Sequence, residues 1–147
     1  MENTSNYNLK QWEETERIMM QDFNADNAKI DAALAAAAAG SIQMAAGEYT
    51  GDGAARRTIT LGFTPRMVFL FPTNGTFYYD SGTARTTMGG IAYTDHPVYA
   101  YNNAAVPVVA VAEGGFTVYK SSYTASGNTY RAESNSNDSR FRYFAIG

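Results

Sequence analysis

The spacing of apolar and polar positions changes at Gly40. Ahead of it, in DFNADNAKIDAALAAAAAG, Phe23, Ile30 and Ala37 recur every seven residues. Met19 and Ala33 fall at the intervening positions, Leu34 lies beside the stripe, and Asp26 interrupts it. A seven-residue recurrence is helical, and the pattern predicts a helix over 22–40. Asp22 or Asn24 is the expected N-cap, because a side-chain oxygen there accepts from the free amides of the first turn. Gly40 is the expected C-cap, in the left-handed conformation that a residue without Cβ adopts freely. A lone helix of about 15–18 residues is marginal in water, so the stripe needs a partner. The small residues Ala35 to Ala39 permit close helix approach. The reading is a parallel bundle of sister helices, a short coiled coil, with Met19, Phe23, Ile30, Ala33, Leu34 and Ala37 as oligomerisation residues. The alternative is that the stripe packs on the chain's own β-domain.

After Gly40 the rhythm becomes alternating. Short strands are predicted at 48–50, 58–61, 67–71, 77–79, 91–93, 98–101, 108–112, 116–119, 128–132 and 141–146. Turn signals separate them, among them Gly51-Asp52-Gly53, Asn74-Gly75, Gly89-Gly90 and Ser126-Gly127-Asn128. Many short strands with such punctuation point to an antiparallel β-sandwich. Residues 134–139, SNSNDS, read as a polar loop before the final strand. Residues 1–21 read as a short docking arm: Tyr7, Leu9 and Trp12 suit an extended segment, and a helix beginning at Trp12 is the alternative. The division is thus an arm (1–21), an oligomerisation helix (22–40) and a β-sandwich recognition domain (41–147).

Charge sharpens this division. Residues 1–39 carry seven acids and three bases, whereas residues 40–147 carry seven acids and eight bases. No basic stripe is present, so no nucleic-acid partner is expected. There are no cysteines, which leaves no disulfide or thiol chemistry. The opening MENTSNYNLKQWEE has neither a basic nor an apolar signal region, and no apolar run approaches the roughly 20 residues of a membrane span. The expectation is a soluble chain made in a bacterial cytoplasm, not inserted in a membrane, that leaves the cell by assembly or lysis.

Catalytic patterns are poorly supported. His96 is the sole histidine. Its neighbour Asp95 is a poor orienting partner, because adjacent strand residues point to opposite faces. No cysteine, histidine pair or calcium-loop spacing suggests a metal. The seven acids of the β-rich part show no spacing that singles out a glycosidase pair. The expectation is a non-enzyme without cofactor or metal. The positive signal is aromatic, since ten of eleven tyrosines follow Gly40. Tyrosine offers a flat apolar face with a polar tip, suited to sugars and protein surfaces. The densest mixture is Tyr93-Thr94-Asp95-His96-Pro97-Val98-Tyr99-Ala100-Tyr101. The candidate ligand-binding residues are Tyr93, Asp95, His96, Tyr99 and Tyr101, with Tyr78 and Tyr79.

Two stretches carry a family likeness. The run NLKQWEETERIMMQDFNADNAKIDAAL (8–34) resembles N-terminal segments of phage and prophage tail-fibre or receptor-binding proteins of Gram-positive bacteria. The segment GEYTGDGAARRTITLGFTPRMVFLF (47–71) and the terminal FRYFAIG (141–147) resemble the C-terminal β-domain of such fibres. Residues 72–110 lie outside the likeness. The resemblance implies a homotrimer, with a trimeric helical bundle at the virion end and β-domains at the tip. It implies a place in a virion tail or phage-tail-like particle such as a bacteriocin, with other tail or baseplate proteins bound through the N-terminal segment. It also implies adhesion to a bacterial surface polysaccharide or teichoic acid, with host specificity in the unmatched middle. Two other functions remain open: a structural tail or baseplate component without receptor binding, and a glycan depolymerase.

Overall fold

The computed structural model describes residues 2–102 and 105–147. The first residue of the expected arm and positions 103 and 104 of the recognition domain therefore lie outside the described residues. The chain divides into two compact units that part after Ser41.

In the first unit, β1 (Glu2–Asn3) pairs antiparallel with β2 (Lys10–Gln11). The arm is a small hairpin rather than one extended segment, and no helix begins at Trp12. The helix α1 (Met20–Ala39) starts two residues before the expected position. Met19 is its N-cap, in extended backbone at φ −96°, ψ 136°, and makes no side-chain cap bond. Neither Asp22 nor Asn24 caps the helix, and Met19 precedes the helical stripe instead of belonging to it. Asp22 lies in the first turn, where a carboxylate meets the positive end of the helix dipole. Gly40 does end the helix, but in right-handed backbone at φ −89°, ψ −1°. The Ser41 hydroxyl donates to the Ala38 carbonyl at 2.8 Å, so the last turn closes without a left-handed residue.

The hairpin is tied to α1 by polar groups. The Lys10 N–H donates to Asp26 Oδ2 at 2.8 Å, and the Lys10 ammonium pairs with Asp22. Lys29 pairs with Asp26 at 3.0 Å and reaches the Asn8 carbonyl. The Lys10 amide, then Lys29, hold the Asp26 carboxyl below its usual pKa. Tyr7 and Leu9 line an open groove of about 230 Å³ with Ile30, Ala33, Leu34 and Ala37. Part of the predicted oligomerisation stripe thus faces the chain's own arm, yet no residue of α1 is buried. Among the described residues no helix is long and apolar enough to cross a membrane.

The second unit is mainly β. Its strands are β3 (Met44–Thr50), β4 (Arg56–Thr60), β5 (Met67–Pro72), β6 (Tyr78–Asp80), β7 (Ala84–Thr87) and β8 (Gly90–Tyr93). They continue with β9 (Val98–Tyr99), β10 (Pro107–Ala112), β11 (Gly115–Ala125), β12 (Asn128–Glu133) and β13 (Arg140–Ile146). One sheet has the order β3-β13-β5-β8. The other runs β6-β7-β12-β11-β10-β9, with β4 also paired to β11. The long β11 makes this possible: residues 115–119 pair β4 and residues 120–125 pair β12.

Two features depart from the expected antiparallel strands, one in direction and one in length. Strand β7, ARTT, lies outside the strands expected from the sequence, because it lacks the large apolar residues that mark one. It pairs parallel with β12, a geometry that needs the long connection through β8 to β11. The segment expected as one strand over 98–101 ends at Tyr99, and Ala100–Asn102 form a 3-10 turn.

Strand alternation produces the core. Val68, Leu70 and Phe141 from the smaller sheet meet Val109, Phe116 and Val118 from the larger. Tyr49 stacks on Phe141 at 5.2 Å, and Phe116 meets Tyr143 edge-on at 5.0 Å. Burying each such side chain contributes about 1.5–3 kcal/mol. A smaller cluster of Ala100, Val106, Val108 and Ala132 lies on the larger sheet.

The SNSNDS loop is no mere solvated connector, because Ser134 and Asn135 are wholly buried. The Ser134 hydroxyl donates to the Val108 carbonyl at 2.5 Å and accepts from the Tyr119 N–H at 2.9 Å. The Asn135 amide nitrogen donates to Asp52 Oδ1 at 2.6 Å and to the Ala54 carbonyl at 2.9 Å. Gly51 passes so close that a Cβ there would lie 2.0 Å from the Ser136 carbonyl oxygen. These bonds fasten the turn after β3 to the loop before β13.

Candidate ligand-binding surface

Register places the leading candidates on one face. Asp80 on β6 lies opposite Arg85 on β7, and Arg85 lies opposite Tyr130 on β12. Tyr130 in turn lies opposite Tyr123 on β11. Cross-strand partners share a face, and Tyr78, two residues before Asp80, shares it too. The 3-10 turn then lays Tyr101 across this row. Its ring stacks on Tyr78 at 6.2 Å and 20°, and on Tyr130 at 5.8 Å and 24°. The Arg85 guanidinium sits over Tyr101 at 4.8 Å and over Tyr130 at 5.9 Å, within cation–π range.

The charges around the rings are held in place. Arg85 pairs with Asp80 at 3.3 Å and donates to Asn128 Oδ1 at 2.8 Å. Asp80 also accepts from the Gly82 N–H at 2.7 Å and from the Tyr78 hydroxyl at 3.1 Å. The Gly82 amide, then Tyr78 and Arg85, hold the Asp80 carboxyl below its usual pKa despite partial desolvation. Desolvation, with Asp80 alongside, pushes the Tyr78 phenol up. At neutral pH the carboxylate is therefore ionised and the phenol protonated. Tyr78 remains 43% exposed and Tyr101 55% exposed. Tyr101 reaches its place only in left-handed backbone, at φ 48°, ψ 41°, which costs a non-glycine residue roughly 1–2 kcal/mol.

The rings of the predicted recognition loop fall into separate groups. Tyr93, Asp95 and His96 form a tight turn leading out of β8: the Tyr93 N–H donates to the His96 carbonyl at 3.2 Å and the His96 N–H returns to Tyr93 at 2.8 Å. Asp95 takes the positive φ of 62° that this turn requires. The His96 ring lies 4.6 Å from the Tyr93 ring. Tyr99 is half-buried on β9 opposite Pro107, with no ring partner among the described residues. Tyr79 is exposed but points to the other face of β6 from Tyr78. Of the seven candidates, Tyr78 and Tyr101 join the stack, while Tyr93 and His96 form a separate ring pair. Arg85, Asn128 and Tyr130, outside the seven candidates, complete the group. The available signal was the Asp80-Ser81-Gly82 turn, which implies a hairpin and so sets Asp80 against Arg85.

The arrangement offers flat ring faces, phenol hydroxyls and a fixed carboxylate–guanidinium pair. This set can stack on and hydrogen-bond a polyhydroxylated ligand. Among the described residues no group of three or more histidine, aspartate or glutamate side chains is gathered to hold a metal ion. Comparison with known proteins gives no matching family model, no matching curated protein and no matching solved structure. The functional reading consequently rests on the residues themselves.

Proposed function

We propose that this protein is a homotrimeric, tail-associated adhesin of a phage or phage-tail-like particle that binds bacterial surface glycan without modifying it. In this reading the two sheets form a β-sandwich tip, and sister copies of α1 bundle at the virion end beside other tail or baseplate proteins. The ligand is a surface polysaccharide or teichoic acid. The observation that carries the reading is the Tyr78–Tyr101–Tyr130 stack braced by Arg85. It holds half-exposed aromatic faces in fixed positions, at the expense of backbone strain at Tyr101. Strain of that kind collects where function requires it. Three weak sites on one trimer, repeated over a particle, gain strength by multivalency.

The test is binding of the purified full chain to Gram-positive cell walls. Tyr101→Ala is expected to weaken binding at least about tenfold, equivalent to about 1.4 kcal/mol, while Tyr79→Ala leaves it nearly unchanged. A folded, assembled protein that binds no wall would replace this reading with a structural tail role. Release of reducing sugar would favour a depolymerase.

A further inference from the structure

Strand β5 is apolar on both sides. Its inward residues Val68 and Leu70 are wholly buried. Its outward residues are Met67, Phe69 and Phe71. An antiparallel sheet with one wet face should alternate apolar and polar, whereas an unbroken apolar strand belongs to a sheet covered on both faces. The neighbouring strands repeat the anomaly. Phe69 lies between Phe144 on β13 and Ile91 on β8, and Met67 lies opposite Tyr93. On the far side of β13, Met44 and Ala46 continue the row. The Phe77 ring stacks on Phe69 at 5.9 Å. The charged residues Arg142 and Glu48 are opposite each other and pair at 2.5 Å, and Arg140 lies beyond them at the start of β13, so charge is confined to one end of the face.

We infer that the outer face of the β3-β13-β5-β8 sheet is an interface between copies of this chain. The area supports this occupant. Met44, Met67, Phe69, Phe77, Ile91, Tyr93 and Phe144 are each between 36% and 64% exposed. At about 200 Å² for a fully exposed side chain of this size, they present roughly 600 Å² before Ala46, Phe71 and Ile146 are counted. A standard interface takes roughly 800 Å² from each partner, and obligate homomeric ones are the most apolar. Ordinary monomers keep their largest apolar patch to roughly 300–600 Å². The face shares no residue with the tyrosine stack or with α1, and the inference does not depend on the proposed adhesive role.

The face carries its own reporters, Met44 and Met67. The experiment follows their oxidation by dilute peroxide in the full chain, with sedimentation mass measured in parallel across a dilution series. Both methionines are expected to oxidise about tenfold more slowly in the assembled chain than after dilution to monomer. Ile91→Glu, a change at an exposed position, is expected to abolish that protection at every concentration while the thermal midpoint of the β-unit persists. An assembled mass with both methionines oxidising at the monomer rate would overturn the inference and leave assembly to α1. A chain that is monomeric throughout would overturn it as well. Protection gained only on adding phosphatidylglycerol vesicles would replace the second copy with a lipid surface.

Discussion

Between Ile42 and Gly147, side chains such as Val68, Leu70, Phe116 and Phe141 are shut away from water, whereas no residue of α1 is buried. The β-unit also encloses polar groups, Ser134 and Asn135, and gives their side chains partners. The N-terminal unit relies instead on a short hairpin, a few ion pairs and a half-open groove. The difference separates a unit that encloses a core from one that buries no residue of its helix, and in the proposed reading the second gains order by association. Ion pairs near the surface, such as those of Lys10 and Lys29, are screened by water and contribute little. They cannot substitute for a core.

The sharpest way to test this contrast is to open the β-core. Phe116→Ala is expected to cost about 3–5 kcal/mol, read as a lower urea midpoint. A cost below about 1 kcal/mol would mean that the two sheets do not share a core. Asn135→Ala removes the buried side chain that donates to Asp52 and Ala54, at an expected cost of about 1–3 kcal/mol in the same assay. Tyr101→Gly relieves the left-handed strain. Stability is expected to hold or rise by about 1 kcal/mol, while wall binding is lost. A parallel loss of both would deny that the strain serves the tyrosine stack.

A smaller effect concerns acid. Asp52 is held below its ordinary pKa of 3.8 first by the Ala54 amide and then by the Asn135 side chain. A carboxyl depressed in the folded state contributes stability that is complete above its unfolded pKa and is lost as pH falls through the folded one. Stability should therefore be flat above about pH 5 and decline below 3.8. Asp52→Asn should shallow that decline, and an unchanged acid limb would remove Asp52 from the account. The smallest change is expected from Ile30→Ala, which should leave the β-unit's urea midpoint within about 0.5 kcal/mol of the parent. A larger shift would make the β-unit dependent on the N-terminal unit.

Much of the β-unit was legible because short runs rich in Val, Phe and Ile lie between clear turns, as in β5, β10 and β13. Strand β7 was invisible because ARTT gains its place from its neighbours and not from burial of large side chains. The helix was legible from its seven-residue period. Its start was not, since Asp22 resembles a cap while the chain enters the helix at Met19 with no side-chain cap. The tyrosine stack was half legible. Abundance of tyrosine announced a surface, but proximity in sequence misled: Tyr93 and Tyr101, eight positions apart, sit in different ring groups. Pairing across β6, β7 and β12 chose the members, and Arg85 and Tyr130 could be found only through register. The apolar outer face was written plainly as MVFLF, which alternation alone treats as an ordinary strand.

The central claim is that α1 is completed by sister chains while the β-unit is complete in its core. Sedimentation equilibrium of the full chain at micromolar concentration tests it most directly. The expected result is a mass three times the 16.0 kDa of one chain, with helical signal lost on dilution. A fully helical species of 16.0 kDa at every concentration would contradict it.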